Sequence, residues 1–305
     1  MSRSTARPVA GLRVTLGTLW RGLRARGMLS AGSVLLTALA IGSAMLGPSF
    51  SSAVADSYLL TRLAAAPATG TGLTFTMAPS PALPGGPAAA ERAARVAVDH
   101  QVSGPYAPGG VQLESARFGV GDMELMLLAK PGACAHLLVT GRCPRRPGEV
   151  LVNRVDVARH GFRAGRNLGV GPAGTVHVVG SYRLPQHAEK FWFDPDRMVS
   201  LPAFTSITTG HRPARPAPLV TSASTFAGVP RDSWTVRVDR PLEVGPDFDT
   251  ADLTAAVRTA RAVHGKSVAA AQGLVTAGDV NDLPAIAREV VRQKQTAQRS
   301  IAPAE

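Results

Sequence analysis

The residues whose types could do chemistry are two cysteines, seven histidines, a Gly-Lys-Ser triplet and one run of aromatic and acidic residues. Cys134 and Cys143 have eight residues between them. In an exported chain such a pair favours a disulfide. Its short loop limits the stabilisation to at most ~3 kcal/mol. Two free buried thiols, or half of a metal site with His136 as a poor partner, are the alternatives. The histidines are scattered, and none pairs with Asp, Glu or Cys at a metal-site spacing. Neither G-x-S-x-G nor H-E-x-x-H occurs. Gly265-Lys266-Ser267 imitates the end of a phosphate-binding loop. That pattern needs a glycine where Ala260 stands, and a strand where the sequence reads as helix. No catalytic residue, cofactor or metal is assigned, and the chain is not expected to be an enzyme.

Three further groups carry two readings each. The run at 189–196, EKFWFDPD, is either a lip that touches lipid, substrate or partner, or a loop whose aromatics pack on a small core. Glu149 is either a site acid or a packing and capping position. Arg142, Arg145 and Arg146 form either a solvated patch or an anion site.

The element that must position everything else is residues 27–55, GMLSAGSVLLTALAIGSAMLGPSFSSAVA, 29 residues with no Asp, Glu, Lys, Arg or His. As a helix it would reach ~43 Å, and a bilayer core needs only about 20 apolar residues. Pro48 marks where the regular helix kinks or stops. Residues 1–26 hold six arginines, with Arg21, Arg24 and Arg26 nearest the apolar run, and no acid. Positive flanks stay cytoplasmic, so residues 56–305 are expected outside. The rival is a signal peptide cleaved after Ala53-Val54-Ala55, against which stand the long basic region and the long apolar run. Residues 1–26 read as an amphipathic helix on the inner leaflet or as the basic flank of the span.

Net charge is +12 over 305 residues. Half of it sits in the first 26 residues, and no Lys/Arg run is interleaved with aromatics, so nucleic-acid binding is excluded as a reading. Beyond the span, periodicity predicts helices over 56–66, 88–102, 155–160, 252–263 and 282–301. Strands are expected at 73–77, 111–120 paired with 123–128, 136–139, 149–153, 175–182 and 235–238. Residues 183–232 are proline-rich and read as loops with short pieces of structure; 276–282 reads as a break. Asp282 and Pro284 fit the cap and first turn of the last helix.

At 144–182 the sequence reads PRRPGEVLVNRVDVARHGFRAGRNLGVGPAGTVHVVGSY. This run resembles a module in the extracytoplasmic core domain of FtsX-like, MacB-type ABC transporter permeases. The carrying residues are Pro147-Gly148-Glu149 with the strand Val150–Val152, the helix Ala158–Gly161, the turn at Gly165 and Val178-Val179-Gly180. Leu138–Arg142 resembles the loop into the module. The family commonly has Gly-Asp where Gly165-Arg166 stands. The resemblance implies an α+β chain with an N-terminal transmembrane helix (27–55) after the basic leader (1–26), an extracytoplasmic MacB-like core domain (56–281) and a return helix (282–305). It implies location in the cell membrane and a separate cytoplasmic ABC ATPase as partner. It also implies the lipid bilayer and either further permease spans or a second permease copy. Those later spans are absent, so the chain resembles the first portion of a permease. A single-span or secreted binding module without transport activity is the alternative.

Overall fold

A computed structural model describes residues 33–39, 41–42, 53 and 56–301, apart from 83, 172–173, 207–209 and 279–281. The chain divides into two compact units, one of residues 1–57 with 291–305 and one of residues 58–290. Arg21, Arg24, Arg26 and most of the apolar run 27–55 lie outside the described residues. Within the first unit, 33–39 and 41–42 are helical and hold Val34, Leu35, Leu36, Leu39 and Ile41 exposed. Among the described residues no helix is long and apolar enough to cross a membrane.

The second unit begins with α1 (56–65, its first residues in the other unit) and the single turn α2 (Ala68–Thr71). Then come β1 (Leu73–Pro79), α3 (Pro87–Gln101), β2 (Val111–Ser115), the hairpin β3 and β4 (Phe118–Val120, Met123–Leu125) and β5 (Leu127–Ala129). Next are β6 (Leu138–Gly141), β7 (Glu149–Asn153), α4 (Arg154–His160), β8 (Asn167–Gly169), β9 (Thr175–Arg183) and α5 (Glu189–Trp192). The hairpin β10 and β11 (Phe204–Ser206, Gly210–Arg212), β12 (Leu219–Thr221), β13 (Trp234–Arg240) and α6 (Thr250–Val263) follow. The chain ends on β14 (Ser267–Ala270), β15 (Gly273–Ala277) and α7 (Leu283–Ile301).

Local chemistry sets the helix ends. Pro87 starts α3, where a missing N–H costs nothing. Asp249 builds a capping box on α6, accepting from the Ala251 and Asp252 N–H groups at 2.7 and 2.9 Å. The Asn153 side chain caps α4, and Gly161 at φ +70° ends it. Asp282 sits at the cap of α7, its carbonyl accepting from the Ala285 and Ile286 N–H groups.

One mixed sheet of 11 strands dominates, in the order β14-β15-β1-β13-β2-β5-β12-β7-β9-β6, with β8 on β9. β5–β12 and β7–β9 are parallel; the other pairs are antiparallel. The parallel pair β7–β9 is joined by a crossover through α4, as parallel neighbours require. Side chains alternate between the two faces. Phe75, Met77, Leu113, Val236 and Val238 join the main core, together with Ala94 of α3, Ala256 of α6 and Leu283 of α7. A second cluster, with Leu151, Tyr182, Trp192, Met198 and Val220, packs around the β7–β9 half.

The architecture is thus mixed α+β. Two details differ from the sequence expectation. The strand expected over 111–120 stops at Ser115, and residues 118–125 form a separate hairpin. β5 then returns to pair with β2, Leu113 opposite Ala129. The hairpin β14–β15 stands where the sequence expectation has no element, and β15 runs to Ala277, two residues into the expected break at 276–282. β14 is exposed or half-buried throughout and rich in small residues, so it carries no apolar alternation to read.

Candidate functional site

Two arrangements place charged side chains where sequence order does not. The first joins the chain's incoming and outgoing helices. α1 runs into β1 and β15 runs into α7, and β1 and β15 are neighbours, with Phe75 opposite Ala277 and Met77 opposite Val275. About two turns along α7 the Tyr58 hydroxyl donates to Glu289 at 2.6 Å. Arg62 pairs with the second oxygen of the same carboxylate at 3.1 Å. Leu59 and Leu63 of α1, and Leu283, Ile286 and Val290 of α7, are buried in the main core. Both helices are therefore clamped to the sheet by apolar packing and to each other by one carboxylate.

The second is a polar layer on the far face of the sheet. β13 turns Arg237 and Asp239 away from the main core, and β2 does the same with Gln112 and Glu114. Arg237 Nε donates to Asp239 Oδ1 at 2.8 Å, and Thr74 donates to the same oxygen at 3.1 Å. Glu114 accepts from Gln112 at 2.6 Å and pairs with Arg197 at 2.9 Å. Lys130, just after β5, is 7 % exposed. Its ammonium donates to the Phe191 carbonyl at 2.5 Å and lies 4.7 Å from the Phe191 ring centre and 5.7 Å from that of Trp192. Burial lowers the Lys130 pKa, with Asp239 opposing the shift. Burial raises that of Asp239, with Arg237 opposing.

A cavity of about 470 Å³ opens beside Lys130, walled by Pro108, Gly109, Gly110, Phe191, Phe193 and Pro241, with Arg95 at its side. Gly109 and Gly110 have to be bare backbone there. A Cβ on Gly109 would fall 1.4 Å from the Asp239 carbonyl oxygen, and one on Gly110 would fall 2.7 Å from Lys130 Cε.

The aromatic run 189–196 forms one wall of this layer. Trp192 and Phe193 are buried, and Phe191 stacks on His136 with ring centres 3.9 Å apart. Trp192 Nε1 donates to the His136 carbonyl at 3.2 Å. Trp192 and Phe193 thus pack as the second of the two readings has it, while Phe191 and Phe193 also wall the cavity. His136 belongs to the turn that holds Cys134, and Cys134 is joined to Cys143 as a disulfide with Cα atoms 6.2 Å apart.

Glu149 is a structural acid. Arg142 donates to both its oxygens at 2.7 and 2.6 Å, and the Arg145 and Arg146 N–H groups donate to one of them at 2.9 and 3.1 Å. Arg142, with these N–H groups, holds its carboxyl well below the usual carboxylate range. The basic trio is thus divided: Arg142 is spent on Glu149, and Arg145 and Arg146 contribute their backbone. Gly265-Lys266-Ser267 follows the C-terminal end of α6, where helix carbonyls point, and not the N-terminal end that cradles phosphate. Among the described residues no cluster of His, Cys, Asp or Glu could hold a metal ion.

Sequence reasoning missed Lys130, Arg237, Asp239 and the Tyr58–Arg62–Glu289 link. Arg237 and Asp239 alternate with Val236 and Val238, which reads as a solvent-facing strand edge. Only the loop laid over that face buries them. No family model matches the sequence, and no curated protein matches it.

Proposed function

We propose that this chain is the membrane-anchored exterior portion of an FtsX-like ABC permease, which relays motion driven by a cytoplasmic ATPase to a substrate or an envelope partner. The observation that carries the reading is the tether: the incoming and outgoing helices feed neighbouring strands and share Glu289. A sheet gripped in this way converts a sliding of α1 against α7 into shear along the β1–β15 ladder. Two sequence features support the membrane half of the reading. Residues 27–55 are free of charge, and every charged residue before them is an arginine. The exposed apolar side chains at 34–41 suit a lipid setting better than water.

The test has two arms. Cysteines placed at Ser4 and Gly245 are labelled in intact cells with a membrane-impermeant maleimide. Ser4→Cys should stay unlabelled until the cells are opened, and Gly245→Cys should label at once. The full chain should also co-purify with an ATP-binding-cassette subunit. A mature product that starts at Asp56 and is free in the medium would sink the proposal.

A further inference from the structure

Lys130 stands apart from the other buried cations in the described residues, Arg237 and Arg240, each of which has a carboxylate partner. Glu114 has Arg197, Glu149 has Arg142, Arg237 and Asp239 have each other, and Arg240 has Asp99. Asp156 has His160 at 3.9 Å and the Ala217 N–H at 2.9 Å. No carboxylate among the described residues lies within ion-pair distance of Lys130, whose partners are one carbonyl and two ring faces. Asp239 and Glu114 act on it only from beyond ion-pair distance, and an ammonium taken out of water without a carboxylate in contact is costly. This one is a wall of the roughly 470 Å³ cavity, a volume in the range of small-molecule sites.

The remaining walls say what kind of molecule would supply the missing charge. Pro108, Val111, Pro131, Phe191, Phe193 and Pro241 are apolar. The ionisable wall residues are Lys130, Arg95 and Asp239; Arg237 and Thr74 bond Oδ1 of Asp239, and its buried Oδ2 has no hydrogen-bond partner among the described residues. Arg95 is exposed and makes no ion pair among the described residues. Two cations at an apolar hollow complement one anionic head on an apolar body. Gly110 lies against the Lys130 stem, with no room for a Cβ between them.

We infer that this cavity is a binding site for a small amphipathic organic acid, its carboxylate paired with Lys130 and Arg95 and its apolar body against Phe191, Phe193 and the prolines. The site does not depend on the relay reading, so each stands or falls by its own test.

The probe is 2-naphthoate, with the neutral 2-naphthamide as its isostere, titrated calorimetrically into the full chain. Naphthoate should bind one to one, and naphthamide about tenfold more weakly, because a charge-assisted bond is lost. Lys130→Met should weaken naphthoate about tenfold and leave naphthamide unchanged; exchanging an unpaired buried charge for an apolar side chain of similar size is tolerated. Two further variants keep the test decisive if that one fails to fold. Arg95→Gln lies at an exposed position and should weaken naphthoate several-fold with an unchanged melting temperature. Gly110→Ala would place a methyl 2.9 Å from Lys130 Nζ, displacing the ammonium and weakening naphthoate in the same way. Equal binding of acid and amide overturns the inference. So does failure of the cooperatively melting wild-type chain to bind either, or full naphthoate affinity in the folded variants.

Discussion

Cutting the bond between Tyr58 and Glu289 tests whether the two helices act as one support. The hydroxyl lies 2.6 Å from the carboxylate in a half-buried setting, where a hydrogen bond to a charged group contributes ~1–1.5 kcal/mol after allowance for solvent. Arg62 adds little: both partners are well exposed, at 48 % and 33 %, and such pairs contribute ~0–1 kcal/mol. Glu289→Ala should therefore cost ~1.5–2 kcal/mol. For a unit of this size that lowers the melting temperature by roughly 3–8 °C. The sharper assay is a double-mutant cycle in urea with Tyr58→Phe, Glu289→Ala and the pair, followed by tryptophan emission; Trp234 is buried in the main core and reports its loss. A coupling near ~1 kcal/mol is expected. A coupling below ~0.3 kcal/mol would mean that the carboxylate does not tie the helices, and the relay argument would lose its mechanical link.

Three other outcomes follow from the geometry. Glu149, bound by Arg142 and two N–H groups, has a depressed folded pKa, so its contribution is complete above the usual carboxylate range and is lost as pH falls through the folded value. Glu149→Gln should flatten the acid limb of a stability–pH profile and leave its shape above about pH 6 unchanged; identical acid limbs would refute this. Gly109→Ala should cost at least ~2–3 kcal/mol, since its methyl meets the Asp239 carbonyl, whereas Gly119→Ala, with nothing within 4 Å, should stay within ~0.5 kcal/mol in the same melt. Replacing Cys134 and Cys143 together by serine should cost ~2–3 kcal/mol and shift Trp192 emission to the red, as the His136 turn beneath it loosens.

What sequence alone determined were the local elements. α3, α4, α6 and α7 declare themselves by their residue spacing, and α7 also by Asp282 and Pro284 at its start. β7, β9 and β13 are apolar enough to read as strands, and two cysteines with eight residues between them read as a loop closure. These signals need only a few neighbouring residues, because caps and side-chain periods act over one or two turns. Tertiary structure decided the rest. Thr74 meets Asp239 across 165 residues of chain, and Tyr58 meets Glu289 across 231. No local pattern encodes such partners. A strand with alternating charges reads as half-solvated until another segment covers it, and here the loop with Phe191, Trp192 and Phe193 does so. The same loop turns Lys130 from an ordinary surface cation into a buried one at a cavity wall, because burial belongs to the packed whole and not to any residue's own neighbours.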